Sequence, residues 1–508
     1  MSQTSRALTI QHLSFKYPEA VEALFTDIGL AFYTGWTGVV GANGCGKSTL
    51  LHLINHSLKP DSGDINSPGD VQSVEQRTDQ PPPGLVRLSR AEDAQIWSWR
   101  AKLGIQPDWF NRWGTISHGE RKRLQIAQAL SHEPDVLILD EPDNHLDINT
   151  KEILLNTLKA FQGIGLIISH DRHLLDALCD HTLFLDEGQP DMRTGGYSAA
   201  RQELDREQLE HQRQKSVLQK EARKLRRELQ RRSEEVSRTA GRRNRGHLAR
   251  GDSDGRAKIG LAIYSGKDKK IGRLKQTLSD RVDKVEARRS AISIKKAHGS
   301  GIHLGGGAGH RAVLIDESAG SISPNDSLAV SWPDLVLERG QCIAITGANG
   351  SGKSILLNHL IRRSKLPKSE VLYMPQEIPL SEGSRLLENL HQLSHDEMGQ
   401  VLTIVRRLGS DPEGLLHGDM ISPGESRKLM LALGMSKECS LLVLDEPTNH
   451  LDLLAITCLE EALLEWEGGI LLVSHDRHLV SKLARTIWTL ESEQSGNSRL
   501  SIKSLISE

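Results

Sequence analysis

Short apolar runs alternate with amphipathic stretches at both ends of the chain, and this pattern is typical of parallel strands joined by helices. Each end has a predicted strand that leads into a glycine-rich loop and a predicted helix that follows it: 37–41 with Lys47–Asn55, and 342–347 with Lys353–Ile361. Each end also has two short, mostly apolar runs that we expect to be buried parallel strands: Val136–Leu139 with Ile164–Ser169, and Leu441–Leu444 with Ile470–Ser474. The pattern therefore predicts two α/β units.

The two units are copies of one domain. The segment GANGCGKST at 41–49 recurs as GANGSGKSI at 347–355, and Lys47 stands 306 residues before Lys353. Three further pairs stand 305 residues apart: Ser117 and Ser422, Asp140 and Asp445, and His170 and His475. A nearly constant offset across four unrelated motifs indicates a duplication.

The segment between the copies, residues 201–300, is predicted to be a helical linker. Arg201–Arg238 is rich in Glu, Gln, Lys and Arg and contains no Gly or Pro, which favours one long helix. A second helix is expected over Ile271–Lys296, and the turn between the helices is expected at Gly241, Gly246, Gly251 and Gly255. The copies then occupy 1–200 and 301–508, and the predicted fold class is α/β with a mainly helical linker.

Charge is distributed unevenly along the chain. The formal net charge is only −2, yet residues 201–300 contain 29 Lys and Arg against 14 Asp and Glu, a balance of +15, so the rest carries about −17. A basic linker in an otherwise acidic protein is expected to bind a polyanion. A charged spacer that only keeps the protein in solution is the alternative.

Length, apolar content and cysteine spacing limit the classes of protein to which the chain can belong. A chain of 508 residues suits two ordinary domains with a segment between them. No run of 18 apolar residues occurs, and Met1–Ile10 lacks the apolar stretch of a signal peptide. The five cysteines stand far apart, with no CxxC pair for zinc and no disulfide framework. We therefore expect a cytoplasmic protein without a membrane segment.

The glycine-rich loops match the pattern GxxxxGK[ST], which predicts phosphate binding when it lies between a strand and a helix. In such loops backbone N–H groups surround the phosphates, the lysine reaches the β- and γ-phosphates, and the next hydroxyl binds Mg²⁺. The residues predicted to bind ATP are Gly41, Asn43, Gly44, Gly46, Lys47, Ser48 and Thr49 in the first loop, and Gly347, Asn349, Gly350, Gly352, Lys353 and Ser354 in the second. Two matches in register make a chance glycine turn negligible.

A pair of carboxylates ends one buried strand of each copy, at the edge where open α/β sheets bind ligands. The aspartate is predicted to hold Mg²⁺ together with the loop hydroxyl, and the glutamate to polarise an attacking water. The two sets are Asp140 and Glu141 with Ser48, and Asp445 and Glu446 with Ser354. His170 and His475, each in the segment SHDRH, are predicted to contact the γ-phosphate. Gln76 and Gln376 are candidate partners of the metal and the water; Gln376 follows an apolar segment, whereas the surroundings of Gln76 are polar.

Over residues 6–190 and 311–495 these motifs resemble those of the ATP-binding cassette superfamily, so the predicted fold is two tandem P-loop cassettes joined by the linker. The signature loop of that superfamily is present as SHGE at 117–120 and SPGE at 422–425, each one residue from the common Ser-Gly-Gly. The resemblance implies that ATP held by one cassette is also bound by the signature loop of the other, through Ser117, Gly119, Ser422 and Gly424. It also implies that Tyr17 stacks on adenine, whereas 311–318 offers no aromatic residue.

Two composite sites follow from the resemblance, each closing on ATP and opening after hydrolysis. The copies differ at Asp143, in EPDNHLD, where the second copy has Thr448, and this adds a charge near the first site. Both copies retain the glutamate, Glu141 or Glu446. We therefore predict an ATPase with two competent sites that differ in rate.

The charged linker and the motif NHLD, at 144–147 and 449–452, resemble the F subfamily of ATP-binding cassette proteins. Members of that subfamily act on the ribosome, where the linker approaches the peptidyl-transfer centre from the tRNA exit-site side, and some confer antibiotic resistance. The resemblance implies a translation factor whose partners are the ribosome, its RNA and exit-site tRNA, and a monomer whose cassettes pair with each other. The predicted linker turn contains the candidate RNA-binding residues: Arg238, Arg242, Arg243, Arg245, Arg250, Arg256 and Lys258.

Other classes of ATPase account for fewer of these features. The ATPase subunit of a transporter, which needs a separate membrane partner, is the main alternative, but it leaves the basic linker without a purpose. An excision-repair ATPase would carry zinc-binding cysteine pairs. A chromosome-organising ATPase would place a coiled coil between Lys47 and Asp140, which are only 93 residues apart. An ATP-gated binding module, in which hydrolysis only resets occupancy, remains open.

Overall fold

A computed structural model of the chain describes residues 7–90, 93–144, 146–186, 189–243, 267–292, 311–325, 328–410, 412–417, 421–437, 439–492 and 497–504. These residues form two α/β cassettes and a helical segment between them, which confirms the predicted fold class. The chain divides into two compact units, one made of both cassettes and one made of the intervening segment.

The described strands of the first cassette are β1 (Leu8–Phe15), β2 (Phe25–Phe32), β3 (Gly35–Val40), β4 (Ser62–Asn66), β5 (Val71–Val74), β6 (Val136–Asp140), β7 (Ile164–Ile168), β8 (His181–Asp186) and β9 (Gln189–Thr194). Its helices are α1 (Lys47–Ile54), α2 (Leu85–Arg90), α3 (Ala94–Lys102), α4 (His118–Leu130), α5 (Ile148–Leu158) and α6 (Arg172–Leu178), with a 3₁₀ turn at Pro107–Asn111. One sheet has the order β5-β6-β7-β3-β8-β9, parallel except for β9, and a second, antiparallel sheet has the order β2-β1-β4.

Two long helices make up most of the segment between the cassettes: α7 (Tyr197–Arg243) and α8 (Lys267–Ala291). Leu278, Val282 and Val285 recur at helical spacing on α8 and are buried, as is Ala222 of α7. An ion pair of 2.5 Å joins Arg226 Nη2 of α7 to Glu286 Oε1 of α8. The apolar stripe and this pair hold the two helices against each other.

The predicted turn of this segment begins too early. Gly241 lies inside α7, because a single glycine costs a helix only about 1 kcal/mol and its neighbours are good helix formers. The second helix runs over Lys267–Ala291 rather than Ile271–Lys296. Gly246, Gly251 and Gly255 lie outside the described residues.

The described strands of the second cassette are β10 (Val313–Glu317), β11 (Gly320–Asn325), β12 (Leu328–Trp332), β13 (Leu335–Glu338), β14 (Cys342–Gly347), β15 (Val371–Met374), β16 (Leu441–Asp445), β17 (Gly469–Val473), β18 (Thr486–Ser492) and β19 (Ser498–Ser504). Its helices are α9 (Lys353–Arg363), α10 (Leu380–His391), α11 (His395–Arg407), α12 (Pro412–His417), α13 (Pro423–Met435), α14 (Leu453–Leu464) and α15 (Arg477–Leu483), with a 3₁₀ turn at Lys368–Glu370. The main sheet has the order β11-β12-β19-β18-β14-β17-β16-β15, and β10 pairs with β13.

The order β15-β16-β17-β14-β18-β19 repeats the order of the six-stranded sheet in the first cassette, as a duplication requires. Strands of this sheet are buried on both faces. Leu442 and Leu444 of β16 pack on the side of α13 and α14, whereas Leu441 and Val443 pack on the side of α9. Burial on both faces explains why these segments are apolar at every position. The predicted strands and the helices after the glycine-rich loops are confirmed within two residues at each end.

Candidate functional site

Both glycine-rich loops connect a central strand to a helix, as predicted. β3 lies between β7 and β8, and β14 lies between β17 and β18. Gly46 and Gly352, which precede α1 and α9, have φ values of 101° and 92°, a conformation that favours glycine. No side chain caps the start of either helix, so the first backbone N–H groups remain for an anionic ligand.

The loop lysines fold back over their own loops. Lys47 Nζ donates hydrogen bonds to the carbonyl oxygens of Gly41 and Ala42, both at 2.9 Å. Lys353 makes the same two bonds to the equivalent carbonyls, at 2.9 and 3.0 Å. Each ammonium group is therefore held at the loop, next to the helix start that would accept phosphate.

The loop hydroxyls lie beside the aspartates that end β6 and β16. Ser354 Oγ donates to Asp445 Oδ2 at 3.0 Å, and the Ser48 side chain bonds Asp140. Burial raises the pKa of both aspartates, and the serine bonds oppose that shift. A hydroxyl and a carboxylate are hard oxygen donors of the kind that bind Mg²⁺ together with phosphate oxygens and water, so this donor set fits Mg²⁺. The described part of the chain contains no cluster of three or more His, Cys, Asp or Glu suited to a metal.

The glutamate after each aspartate has a left-handed backbone conformation. φ is 46° at Glu141 and 50° at Glu446, which costs a non-glycine residue about 1–2 kcal/mol. The next strand compensates, since the N–H of Glu141 donates to the Ile168 carbonyl at 2.9 Å and that of Glu446 to the Val473 carbonyl at 2.8 Å. Strain of this kind is typical of functional positions, and here it fixes where each carboxylate lies.

The predicted histidines contact these carboxylates. His170 Nε2 lies 3.3 Å from Glu141 Oε1, and His475 Nε2 lies 3.5 Å from Glu446 Oε1. The backbone N–H of His475 also donates to Glu446 Oε2 at 3.2 Å. Each histidine follows the strand that pairs in parallel with the strand before its glutamate, so both side chains emerge at the same edge of the sheet.

The two glutamates differ electrostatically. Burial acts to raise the pKa of Glu141, but the hydrogen bond and charge of His170, with other nearby cations, hold that pKa below its usual value. Burial raises the pKa of Glu446 to about 7. Burial is also the main reason that the pKa of His475 falls to about 4. At neutral pH Glu141 is therefore ionised, whereas Glu446 is divided between its two protonation states.

The two glutamine segments also differ. Gln76 Nε2 donates to Glu141 Oε2 at 2.6 Å, and Asn144 Nδ2 donates to the same oxygen. Gln376 lines a cavity together with Glu446. The polar surroundings of Gln76 made it the less typical candidate from the sequence, yet its side chain is the one that directly contacts a catalytic candidate.

A buried basic residue on the helix after each signature loop holds the glutamine segment, and sequence reasoning missed it. Lys122 Nζ donates to the Gln76 carbonyl at 3.0 Å, and burial lowers the pKa of this lysine to about 8. Arg427 donates to the Glu446 carbonyl at 2.8 Å and to the Gln376 carbonyl. Lys122 and Arg427 stand 305 residues apart, the same offset as the other motifs, and that offset was the signal available in the sequence.

Tyr17 lies just beyond β1, beside the helix that follows the first loop. Its hydroxyl is 2.9 Å from Thr49 Oγ1, and its ring meets Phe15 edge to face with centroids 4.9 Å apart. Tyr17 is 41% exposed, which leaves part of the ring open to a ligand. In the second cassette, β10 ends at Glu317, which pairs with His359 at 3.0 Å.

Each signature loop starts a helix through a capping box. Ser117 and Ser422 are the N-caps of α4 and α13, and their Oγ atoms accept the N–H groups of Glu120 and Glu425 at 3.3 and 3.2 Å. In return the glutamates accept the serine N–H groups, at 2.7 and 2.9 Å. Both one-residue departures from Ser-Gly-Gly, at positions 118 and 423, therefore fall inside intact helix starts.

The signature glycines lie in closely packed surroundings. A Cβ on Gly119 would lie 2.9 Å from Leu146 Cδ2. A Cβ on Gly424 would lie 2.9 Å from the His450 carbonyl oxygen and 3.7 Å from Asn43 Nδ2. Since Asn43 belongs to the other cassette, the second signature loop lies beside the first glycine-rich loop, as the resemblance implies.

The glycine-rich loops contact the opposite cassette reciprocally. The N–H of Asn43 donates to Asp452 Oδ2 at 3.1 Å, and Asn43 Nδ2 donates to the His450 carbonyl at 3.1 Å. In the other direction, Asp147 accepts a hydrogen bond from the backbone of Asn349. The two aspartates, which end the NHLD motifs, are also the N-caps of α5 and α14. The last residue of each NHLD motif thus caps a helix of its own cassette and contacts the glycine-rich loop of the other cassette.

Two arginines, one after each predicted histidine, also cross between the cassettes. Arg172 Nη1 donates to Glu460 Oε1 at 2.8 Å, and Arg477 contacts Glu152. The Glu152 pair is about half exposed, whereas the Glu460 side chain is almost completely buried. One of the equivalent arginines therefore forms an interior ion pair and the other a surface ion pair. Their acceptors stand at non-equivalent positions, because Glu152 corresponds to Thr457, which Arg172 also contacts at 3.0 Å.

Two residues of its own cassette also bind Glu460. Lys482 Nζ lies 3.0 Å from Glu460 Oε2, and His478 Nδ1 lies 3.3 Å from Glu460 Oε1. Burial acts to raise the pKa of Glu460, but Arg172 and Lys482 hold it below its usual value. The carboxylate is therefore ionised and fully paired.

The candidate RNA-binding residues lie at the end of the described part of α7 or beyond it. Arg238, Arg242 and Arg243 fall within the helix, but their side chains are not among those described. Arg245, Arg250, Arg256 and Lys258 lie outside the described residues. Among the helices that are described, none combines the length and apolarity needed to cross a bilayer.

A family model described as ABC transporter matches residues 25–144 and 332–449. The ribosome protection protein VmlR of Bacillus subtilis (strain 168) is 27% identical over 504 residues, covering 94% of this chain and 85% of VmlR. The relative named "Probable ATP-binding protein YheS" of Escherichia coli (strain K12) is 30% identical over 507 residues, covering 87% of this chain and 72% of YheS. The archaeal ribosome recycling factor aABCE1, solved with the ribosomal stalk protein aP1, is similar in fold, with a TM-score of 0.61 at 17% identity over 96% of this chain and 89% of that one.

Proposed function

The chain belongs to the ATP-binding cassette family, within its F subfamily, and on that basis we propose that it binds and hydrolyses two ATP between its cassettes and acts on the ribosome as a translation factor. In this proposal the first cassette is 1–200, the basic linker 201–300 and the second cassette 301–508. The protein works in the cytoplasm as a monomer, and antibiotic resistance is one outcome of its action.

The reciprocal contacts of the glycine-rich loops are the observation that carries the proposal. Asn43 contacts Asp452, and Asn349 contacts Asp147, so each ATP loop meets the opposite cassette. An ATP molecule held in either loop would then lie where the two cassettes meet. Binding and closure are linked in this arrangement, because only the closed form makes both sets of phosphate contacts.

The residues of each site support a division of labour for hydrolysis. The glutamate takes the proton of the attacking water, and the histidine, 3.3 or 3.5 Å away, orients that carboxylate. The loop lysine and the helix start bind the phosphates. The hydroxyl and aspartate pairs, Ser48 with Asp140 and Ser354 with Asp445, would hold Mg²⁺, which when bound neutralises phosphate charge.

Ribosomal action is supported by the relatives and by the charge of the linker. VmlR is described as a ribosome protection protein, and this chain covers 85% of it. On α7, six basic residues and one acidic residue, Glu228, line one groove, and the basic ones recur at helical spacing: Lys220, Arg223, Lys224, Arg227, Arg231 and Arg232. A predominantly basic face of this kind suits a phosphate backbone, and its binding should weaken steeply with salt.

The test uses a variant that binds ATP without hydrolysing it. With Glu141→Gln and Glu446→Gln together, the protein is incubated with ribosomes and ATP at moderate salt and sedimented through a sucrose cushion. We expect co-sedimentation that requires ATP and is lost when the basic residues of 238–258 are changed to Gln. A matched control changes the basic residues of 273–289 on α8 to Gln, and we expect it to retain more binding.

Two outcomes would contradict the proposal in different ways. If the trapped variant stays at the top of the gradient while the wild-type protein hydrolyses ATP, the ribosome is not its partner, and an ATPase subunit with a membrane partner becomes the better hypothesis. If wild-type protein binds ribosomes but hydrolyses no ATP with or without them, the protein is an ATP-gated binding module.

A further inference from the structure

A small cavity of about 40 Å³ lies between the cassettes, and both contribute to its wall. Its charged and polar lining includes Asp143, Lys151 and Asp171 from the first cassette and Asn349, Glu446 and His475 from the second. Asn349, Glu446 and His475 belong to the second ATP site, and His170 of the first site also lines the cavity. Asp143, Lys151 and Asp171 have no part in the hydrolysis mechanism above.

Two of the three first-cassette charges have no counterpart in the other copy. At the offset of 305, Lys151 corresponds to Ile456 and Asp143 to Thr448, whereas Asp171 corresponds to Asp476. The extra lysine and the extra aspartate therefore occur together. The sequence analysis predicted that Asp143 adds a charge near the first ATP site. In the structure, Asp143 lines a cavity that residues of the second ATP site also line.

Lys151 is held as a cation between carboxylates. Its Nζ lies 2.7 Å from Asp171 Oδ2, and both side chains are largely buried. Burial acts to lower the pKa of Lys151, but Asp171 and Asp143 raise it well above its usual value. Burial raises the pKa of Asp143 to about 6, and the charge of Lys151 opposes that shift.

A buried ion pair of this kind is weak evidence for stability, because removing charges from water offsets most of the attraction between them. Its position is more informative. Lys151 lines the same small cavity as Glu446 and His475 and shares a second cavity with His475. A lysine of the first cassette therefore lies beside the hydrolytic pair of the second ATP site. The first site has Ile456 in the equivalent place.

We propose that Lys151 is a positioning residue that acts in trans, supplying a fixed positive charge from the first cassette to the hydrolytic end of the second ATP site. The proposal rests on the ATPase function proposed above. Negative charge on the phosphoryl oxygens and the attacking water must be stabilised during hydrolysis, and a preorganised cation in a water-poor site does so without reorganisation. The ion pair with Asp171 holds Lys151 in place.

The test separates the two sites. Glu141→Gln leaves only the second site able to hydrolyse ATP, and Glu446→Gln leaves only the first. Into each background we introduce Lys151→Ile with Asp143→Thr, the pair that the other cassette has, so that an unmatched carboxylate is not created at 143. We expect kcat of the second site to fall about tenfold with KM for ATP changed less than about twofold, and kcat of the first site to be unchanged.

Lys151→Arg is the conservative control, and it should restore most of the lost kcat because it keeps the charge and can still pair with Asp171. An equal fall in both backgrounds would overturn the proposal, since a loss of packing between the cassettes acts on both sites. So would an unchanged second site, or a loss that appears only in KM. Thermal unfolding of each variant checks folding independently.

Failure of the ATPase function would be recognised separately. Wild-type turnover is measured first, and its absence would overturn the ATPase proposal together with the role of Lys151. If the wild-type protein hydrolyses ATP, and Lys151→Ile with Asp143→Thr lowers kcat by the same factor at both sites, only the role of Lys151 is overturned.

Discussion

Glu141 and Glu446 occupy equivalent positions in two copies of one fold, and both are held at φ near 50° by the neighbouring strand. Their surroundings nevertheless differ. Glu141 accepts hydrogen bonds from Gln76 and Asn144 and has a lowered pKa, whereas burial raises the pKa of Glu446 to about 7. Duplication has therefore preserved the geometry of the reacting groups while their electrostatics diverged. The two sites should share a mechanism and differ in rate and pH dependence.

The largest effect should come from removing the glutamates one at a time. We expect Glu141→Gln and Glu446→Gln each to reduce hydrolysis at its own site by about 10²–10³-fold, because the water loses its proton acceptor. Steady-state phosphate release at pH 7 measures what remains. Glu141→Gln should remove the larger share, since Glu141 is the ionised glutamate. Equal shares would show that the electrostatic difference has no kinetic consequence.

The interface arginines should give the next largest difference. Arg172→Ala removes a partner of buried Glu460, and we expect closure to weaken by about 2 kcal/mol, less than for a fully orphaned charge because Lys482 and His478 remain. Arg477→Ala breaks a half-exposed pair and should cost under about 1 kcal/mol.

Closure can be followed by energy transfer between dyes on the two cassettes, in the variant with both glutamates changed to Gln, as ATP is titrated. The equilibrium constant for closure should fall about thirtyfold for Arg172→Ala and at most a few-fold for Arg477→Ala, and the ATP midpoint should rise by the square root of each factor because two ATP bind per closure. Similar shifts for the two variants would show that burial of Glu460 does not matter to closure.

Lowering the pH from 8 to 6 should reduce the hydrolysis rate of the second site about tenfold more than that of the first. A glutamate acts as a base only when ionised, so a raised pKa means that activity is lost as pH falls through that value. With a pKa of about 7 at Glu446, the second site should lose about 90% of its rate between pH 8 and pH 6. The first site, whose glutamate has a lowered pKa, should change little over the same range. Phosphate release in the two single-site backgrounds gives both profiles, and parallel profiles would contradict the assignment.

Much of this architecture could be predicted from the sequence because duplication repeats each motif. The common offset identified both glycine-rich loops, Asp140 and Asp445, and the two histidines, and buried parallel strands are easily recognised when every residue is apolar. The same offset also connects Lys122 with Arg427, but a lysine and an arginine on amphipathic helices look like surface residues until the structure shows them buried under the glutamine segments. Burial of a charged residue depends on tertiary packing, which local pattern does not report.

Other features depended on contacts between distant residues. Gly241 was expected to end a helix, but its neighbours outweigh one glycine, and α7 continues to Arg243. Asp143 stood out in the sequence as an added charge, whereas Lys151, which lines the same cavity, did not, because local pattern gives no sign that a lysine eight positions further on lies nearby. Only the fold shows that these two differences between the copies form one cluster.

The partners of Glu460 also affect the opening of the cassettes. When the cassettes separate, Arg172 leaves with the first one, but Lys482 and His478 belong to the second and stay with the carboxylate. The negative charge of Glu460 is thus already balanced by Lys482 when separation exposes it to water. Because the positive charge that balances Glu460 belongs to the same cassette, the interface can open and close repeatedly. The Glu460 carboxylate is paired in both states.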